Sequence, residues 1–377
     1  MNDATTSSGD PIADVLPTFA VPLTPRWNVF GRSVQPAPIK AGITLVLLVV
    51  ALQIPQQLGK SDVNLYSEVL CLAIAAMGVN LLTGFNGQIS VGHGAFYGIG
   101  AYTSFLLVSE QEWSFAAAAV AAAALSFVVG LLVGLPALRI KGLYLAIVTL
   151  ALAALFPQIV IRFADITGGT SGSQITRQET PAVYDFNRPP ADSGLQPDQF
   201  RFYVIFVVAM VCLLLVRNLV RSRVGRALVA TRDNETAAEV VGVPLARYKV
   251  LTFGVSAMLA GIGGAMQVFL NGSVNPSQFG IELSITILVA VVVGGAATIV
   301  GPLVGAFFVE MLPTWLPSDT PQASPVLFGL SLVLLMRVAP GGVVGLARRT
   351  WARLSPRING PRRDGASPPV PDDAAVT

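Results

Sequence analysis

Few residues in this 377-residue chain carry side chains that could do chemistry. There is one histidine, His93, so neither a histidine dyad nor a multi-histidine metal site can be assembled. Cys71 and Cys212 sit in apolar runs without CxxC spacing, the pattern of small buried apolar side chains rather than of a disulfide or metal framework. Ionisable residues within or beside apolar stretches are few: Glu68, Arg162, Asp165, Glu282 and Glu310. Glu310 is the deepest, and a charge at such depth usually faces a cavity or a partner. The sequence contains no Gly-x-x-x-x-Gly-Lys-Ser/Thr phosphate loop, no HExxH and no GxSxG. No catalytic residue and no metal ligand is assigned, and the chain is expected not to be an enzyme.

Polar groups gather instead in NLLTGFNGQISVGHGAFYGIGAYTSFLL, residues 80–107. Asn80, Gln88, Ser90 and His93 could hydrogen-bond a passing polar solute, or satisfy backbone groups that the glycines free. For His93, a hydrogen bond between helices is favoured over a proton relay. Each glycine in a helix interior costs about 1 kcal/mol relative to alanine. Gly84, Gly87, Gly92, Gly94, Gly98 and Gly100 therefore either break a helix at membrane depth or let helices approach closely. Gly94 and Gly98 have small-xxx-small spacing, and a short glycine-interrupted span points to a transport site. Gly294, Gly295 and Gly301 punctuate a later apolar region in the same way.

A second constellation is RNLVRSRVGRALVATRDNETAAEVVGVPLARYK, residues 217–249, a polar loop holding seven Lys and Arg residues. Its centre, Asp233 to Val243, is expected to be a short helix. Asp233 can cap it, Glu235 lies in its first turn, and both acids suit the positive end of the helix. Thr236, Ala237 and Ala238 form a face of little bulk, Glu239 follows, and Gly242 is placed to end the helix. Arg221, Arg223, Arg226 and Arg232 precede it and could meet acidic groups or anionic lipid headgroups.

The elements that carry these residues follow from composition. Hydrophobic residues make up 53% and charged residues 12% of the chain, against roughly 25% charged in a soluble domain. With a mean hydropathy of +0.67, this is a polytopic all-α membrane protein. Apolar runs of about 20 residues predict ten spans, near 40–57, 63–84, 93–108, 114–135, 142–163, 201–217, 249–272, 281–297, 299–316 and 323–338. With both termini inside, nineteen of the 24 basic residues fall on the inner side and only Lys60, Arg162, Arg177, Arg188 and Arg201 outside. The positive-inside rule selects that orientation. A cytoplasmic tail (1–39) then precedes the membrane domain (40–346), and a disordered cytoplasmic tail (347–377) follows it. Within the domain, 218–248 form an inner loop and 164–200 an external loop, which serves either as a docking surface or as a plain connector.

The flanks RSRVGRAL, ATRDNETAAEVVGV and ARYKVLTFGVSA resemble the LivM-type branched-chain amino-acid permeases of ABC importers. GQISVGH (87–93) is similar to the family run Gly-Gln-x-Ser-x-Gly-His. Further similar pieces are ALRIKGLYLAIVTLALA (137–153), TGGTSG (167–172), NPSQFGIELSITILVAVVVGG (275–295), VGGAATIVGPLVGAFFVEMLP (293–313) and RVAPGGVVGL (337–346). The inner loop resembles the coupling loop of such permeases, Glu-Ala-Ala, three residues, then Gly. Here Thr236 stands at the Glu position, ahead of Ala237, Ala238 and Gly242.

The resemblance implies a bacterial plasma-membrane permease with four kinds of protein partner or neighbour: two cytoplasmic ATPase subunits, a second permease, an extracytoplasmic solute-binding protein and the lipid bilayer. Nucleic acid is not among them. ATP would be used by the partners, with no cofactor in this chain. The solute would be leucine, isoleucine or valine, although related permeases import urea, amides or other amino acids. A stand-alone secondary transporter or channel is the rival class, and it would need a coupling-ion site of its own.

Overall fold

The computed structural model describes residues 59–140, 142–175, 194–315 and 341–347, the short stretches 27–29 and 32–34, and single positions at 55, 189, 329, 333, 337 and 350. The expected spans near 40–57 and 323–338 and most of both tails lie outside the described residues. The chain divides into two units. The first, residues 1–51 and 354–377, has one described feature, an antiparallel ribbon of β1 (Trp27–Val29) and β2 (Arg32–Val34).

The second unit, residues 52–353, is a helical bundle. Its order is α1 (Lys60–Val79), which continues into a π-helical turn (Asn80–Phe85), then α2 (His93–Ser109), α3 (Phe115–Ala137) and α4 (Leu143–Arg162). The connection that follows holds α5 (Ala164–Thr167) and β3 (Ser173–Gln174). Next come α6 (Pro197–Arg221), α7 (Arg223–Asp233), α8 (Glu235–Val240) and α9 (Leu245–Asn271). The chain then forms β4 (Ser273–Val274), α10 (Ile281–Gly294) and α11 (Gly301–Trp315).

Five of these stretches are long and apolar enough to cross a membrane: Lys60–Phe85, α3, α4, α6 and α9. The spans expected near 281–297 and 299–316 both form helices. α10, at 14 residues, is about 21 Å long, short of the ~30 Å hydrocarbon core, and α11 is described over 15 residues as far as Trp315. Glycines set the turn between them. Gly294 closes α10, Gly295 turns the chain at φ 111°, and Gly301 opens α11.

The most apolar windows of Lys60–Phe85 and α9 are 83% and 78% buried, against 22% in α3 and α6, so α1 and α9 are the centre of the bundle. The outer helices present Val120, Leu132, Leu143 and Val207 outward. Lipid tails are as apolar as leucine, so helices in a bilayer gain association chiefly from close packing over small residues. The α2–α9 contact is of this kind: a Cβ on Gly100 would meet the backbone of Gly261, and one on Gly264 would meet the carbonyl of Tyr97.

Local signals end the helices where the sequence carries them. Ser114 caps α3, accepting from the amide of Ala117 at 3.4 Å. Pro197 opens α6 behind a Gln196–Gln199 capping box. Gly272, left-handed at φ 66°, closes α9. The start of the expected external loop is ordered rather than plain connector. β3 pairs antiparallel with β4, and the Ile175 amide donates to the Gly272 carbonyl at 2.8 Å.

Candidate functional site

The inner loop folds as two helices at an angle, α7 then α8. Leu228 and Thr231 bury one face of α7, while Arg221, Arg223 and Arg226 are exposed. Among the described residues these three have no ion-pair partner. The break between the helices is at Asn234, which is extended at φ −159°, ψ 108°, and whose Oδ1 accepts from the Ala237 amide at 3.0 Å. The N-cap is therefore Asn234, not Asp233. Asp233 closes α7 instead, and its Oδ1 accepts from Nε and Nη2 of Arg232 at 2.9 and 2.8 Å. An Asp-Asn pair offers two capping side chains, and the preceding helix has claimed the first residue for its own last turn.

The far end of α8 follows the expectation. Gly242 takes φ 86° and donates to the Glu239 carbonyl at 2.9 Å, and Val243 donates to the Ala238 carbonyl at 3.0 Å. These two bonds satisfy the last carbonyls of the helix. The expected face of small residues needs one correction. Ala238 is 2% exposed and packs inward, so it cannot meet a partner directly. Thr236, Ala237 and Glu239 are exposed, and Val240 and Val241 are 82% and 76% exposed. At its foot, Glu235 accepts from Nζ of Lys249, a buried residue of α9, at 2.6 Å. A hollow of about 620 Å³ opens beside the helix, lined by Leu138, Glu235, Glu239, Gly242, Val243 and Lys249 among others.

The polar stretch 80–107 lies in the packed interior and spends its groups there. The His93 ring stands between Ser90 Oγ at 3.1 Å and Ser256 Oγ at 2.6 Å, and Ser256 donates to the Gly78 carbonyl at 2.6 Å. With that proton committed to a carbonyl, Ser256 accepts from Nε2–H, and Nδ1 accepts from Ser90. His93 is 1% exposed and thereby ties α1, α2 and α9 together. Gln88 is used inside its own loop: Asn86 donates to its side-chain oxygen at 2.8 Å, and Thr83 donates to its carbonyl at 3.0 Å. Asn80, fully buried, bridges to the tip of the α10–α11 hairpin. It accepts from the Ala297 amide at 2.8 Å and donates to the Thr298 carbonyl at 2.7 Å.

The expected glycines are places of close approach. Gly87, at φ 76°, lies under the Arg232 side chain. Gly92 meets Thr149 of α4, Gly94 meets Ser284 of α10, and Gly98 meets the ring of Phe156 and the Cβ of Phe279. Gly294 and Gly301 bring α10 and α11 together backbone to backbone, and Gly295 lies against Gly341 and Gly342. Glu310, half-buried on α11, stands near enough to Glu68 of α1 for their charges to interact. Among the described residues neither carboxylate has a hydrogen-bond or ion-pair partner.

Four structural features of this region were not anticipated from the sequence. The cap at Asn234 had a local signal equal to that of Asp233. The Lys249–Glu235 pair, the Asn80 bridge and a bond from Arg232 Nη1 to the Gly84 carbonyl at 3.0 Å had none, because each joins residues far apart in the chain.

Comparison with known proteins adds the following. A family profile described as "Branched-chain amino acid transport system / permease component" matches residues 63–336. The LivM permease protein of the high-affinity branched-chain amino acid transport system of Salmonella typhimurium is 29% identical over 318 residues, covering 81% of this chain and 75% of that protein. Its counterpart in Escherichia coli K12 is 28% identical over 331 residues, covering 84% and 78%. The LivH permease protein of the same Escherichia coli strain is 24% identical over 288 residues, covering 72% and 91%. No solved structure matches.

Proposed function

This chain belongs to the family of permease components of branched-chain amino acid transport systems, and from that premise we propose how it serves its importer. It is a multi-pass plasma-membrane permease subunit of an ABC importer. In the proposed assembly it pairs with a second permease, two cytoplasmic ATPases and an extracytoplasmic solute-binding protein. ATP is bound and hydrolysed by the partners alone. The cargo is leucine, isoleucine or valine, handed over by the binding protein, so the permease need only pass it weakly.

The observation that carries this reading is α8. It is a two-turn helix on the basic face of the bundle, capped at both ends, braced to α9 by Glu235–Lys249 and bare on its outer side. The ATPase contacts Thr236, Ala237, Glu239, Val240 and Val241. Asp233, Glu235, Ala238 and Gly242 shape that surface from behind. Within the membrane, Glu310 is the candidate lining of the solute path. Asn80, Gln88, Ser90 and His93 hold the helices that form it.

Contacts between loops agree with the proposed grouping of the loops on two sides of the bundle. Arg232–Gly84 and Glu235–Lys249 join loops assigned to the inner side, while β3–β4 and the Arg201–Leu270 bond at 3.1 Å join loops assigned to the outer side.

The reading is tested by reconstituting the chain with its candidate partners in proteoliposomes. ATP-dependent uptake of leucine, isoleucine and valine is then measured against urea, amides and other amino acids. Uptake that persisted without any ATPase would overturn the importer assignment and favour a stand-alone transporter or channel. Transport of urea or an amide in preference to the three amino acids would change the cargo only.

A further inference from the structure

We infer that Arg232, Gly84 and Asn80 form a linkage that carries movement of α8 to the tip of the α10–α11 hairpin, with Arg232 and Asn80 as positioning residues for transport. The inference rests on the permease reading above.

The linkage begins next to α8. Arg232 precedes the cap residue Asn234 by two positions, so a tilt of α8 acts first on the last turn of α7. Three contacts hold the Arg232 side chain. Asp233 grips Nε and Nη2, Nη1 donates to the Gly84 carbonyl at 3.0 Å, and the aliphatic stem lies on Gly87. A Cβ at Gly87 would stand 2.8 Å from Arg232 Cγ, so a glycine is required for that stem to lie flat.

Gly84 lies in the π-helical turn that ends the central helix. Such turns contain an extra residue per turn and recur at functional sites. On its other side Gly84 presses against the hairpin. A Cβ there would stand 2.5 Å from the Ala297 amide nitrogen and would also collide with Asn80 Oδ1. Asn80, in the same turn, grips the hairpin tip with both ends of its amide, on Ala297 and Thr298.

The tip it holds is strained. Ala297 takes φ 57° without being a glycine, and Gly295 takes φ 111°. A non-glycine residue in that region is strained and persists where its surroundings over-determine it. The two Asn80 bonds are that determination.

The rest of the centre is bound differently. His93, Ser256 and Gly78 lock α1, α2 and α9 side by side through buried hydrogen bonds, so this block moves as one. The hairpin of α10 and α11 packs on itself through Gly294, Gly301 and Gly305, on the core of α1, and on α2, where Ser284 Oγ accepts from the Gly94 amide at 2.9 Å. Its tip, beyond Gly294, is what Asn80 holds, and it is there that the linkage from α8 arrives.

The test uses the assembled importer in proteoliposomes, with Arg232→Ala, Arg232→Lys and Asn80→Asp. It reads co-purification of the ATPase, solute taken up per ATP hydrolysed, and the distance between spin labels at Val300 and Val120 with and without trapped ATP. The wild type is expected to show an ATP-dependent change in that distance. Arg232→Ala is expected to retain the ATPase, lose the distance change, and lower uptake per ATP roughly tenfold, the size of one lost charge-assisted hydrogen bond. Arg232→Lys restores part of it, because one donor can still reach the Gly84 carbonyl. Asn80→Asp, which loses the donor to Thr298, lowers uptake per ATP without affecting ATPase retention.

Unchanged uptake per ATP, or a distance change that survives Arg232→Ala, would overturn the linkage. Loss of the ATPase from Arg232→Ala would also overturn it, because Arg232 would then be a docking residue. If Arg232→Ala does not insert, Arg232→Lys and Arg232→Gln decide by the same readouts. A wild-type chain that retains no ATPase would refute the permease reading itself, a separate result.

Discussion

Glu235 and Lys249 meet at 2.6 Å, one in the first turn of α8 and the other near the start of α9, with the Lys249 side chain 7% exposed and that of Glu235 34%. A cation this buried is held by the carboxylate it meets, and loss of the pair loosens the foot of α8 from α9. Lys249→Met is expected to free the foot of α8 and weaken ATPase retention by about tenfold, corresponding to ~1.4 kcal/mol. The reversed pair, Glu235→Lys with Lys249→Glu, should recover part of the loss. Co-purification titrated against ATPase concentration measures both, and a Lys249→Met chain that binds as well as wild type would remove the pair from the dock.

The cap assignment separates two adjacent residues. Asn234→Ala removes the acceptor for the Ala237 amide and should destabilise α8 by about 1 kcal/mol. Asn234→Asp or Asn234→Ser should not. Asp233→Ala should leave α8 intact and loosen only Arg232. Hydrogen exchange of the amides at 237–241 distinguishes them; faster exchange in Asp233→Ala than in Asn234→Ala would restore Asp233 as the cap.

Outward and inward faces of α8 respond differently to the same charge. Val241→Glu, on the bare side, is expected to abolish ATPase co-purification while membrane yield stays at the wild-type level. Ala238→Glu buries a carboxylate against the bundle without a partner, which costs several kcal/mol, so yield and thermal stability should both fall. Equal yields for the two variants would show that Ala238 is not enclosed.

Glycines divide by what surrounds them. Gly242 has open space around it but a φ of 86°, so Gly242→Ala should cost about 1 kcal/mol, through strain alone. At Gly305 a Cβ would run into the Ala290 carbonyl. Gly305→Ala must therefore part α10 from α11, and is expected to lower the melting temperature in detergent far more than Gly242→Ala. The opposite ranking, read by thermal shift of the purified chain, would mean the hairpin can separate without cost.

Much of the architecture was legible because the bilayer imposes it segment by segment. Eight expected spans coincide with helices in the described residues, and the polar loop, its short helix and the glycine that ends it lie where the local signals put them. The hairpin was not legible in the same way. Apolar composition around 281–316 left its division open, and the structure places the turn between α10 and α11 at Gly294, Gly295 and Gly301. The external segment beginning at Asp165 lacked any periodic signal, yet β3 finds a partner strand about a hundred residues away.

By itself the sequence determined that this is a membrane bundle with one basic loop between its spans, where its loops fall, and which glycines must let something approach. These are properties of a segment and the solvent around it. Which side of α8 faces outward, which member of Asp233-Asn234 caps it, and what Asn80, His93 and Lys249 bind were decided by tertiary structure. A hydrogen bond or an ion pair needs two partners within about 3 Å. For these residues the partner belongs to another helix, brought there only when the bundle packs.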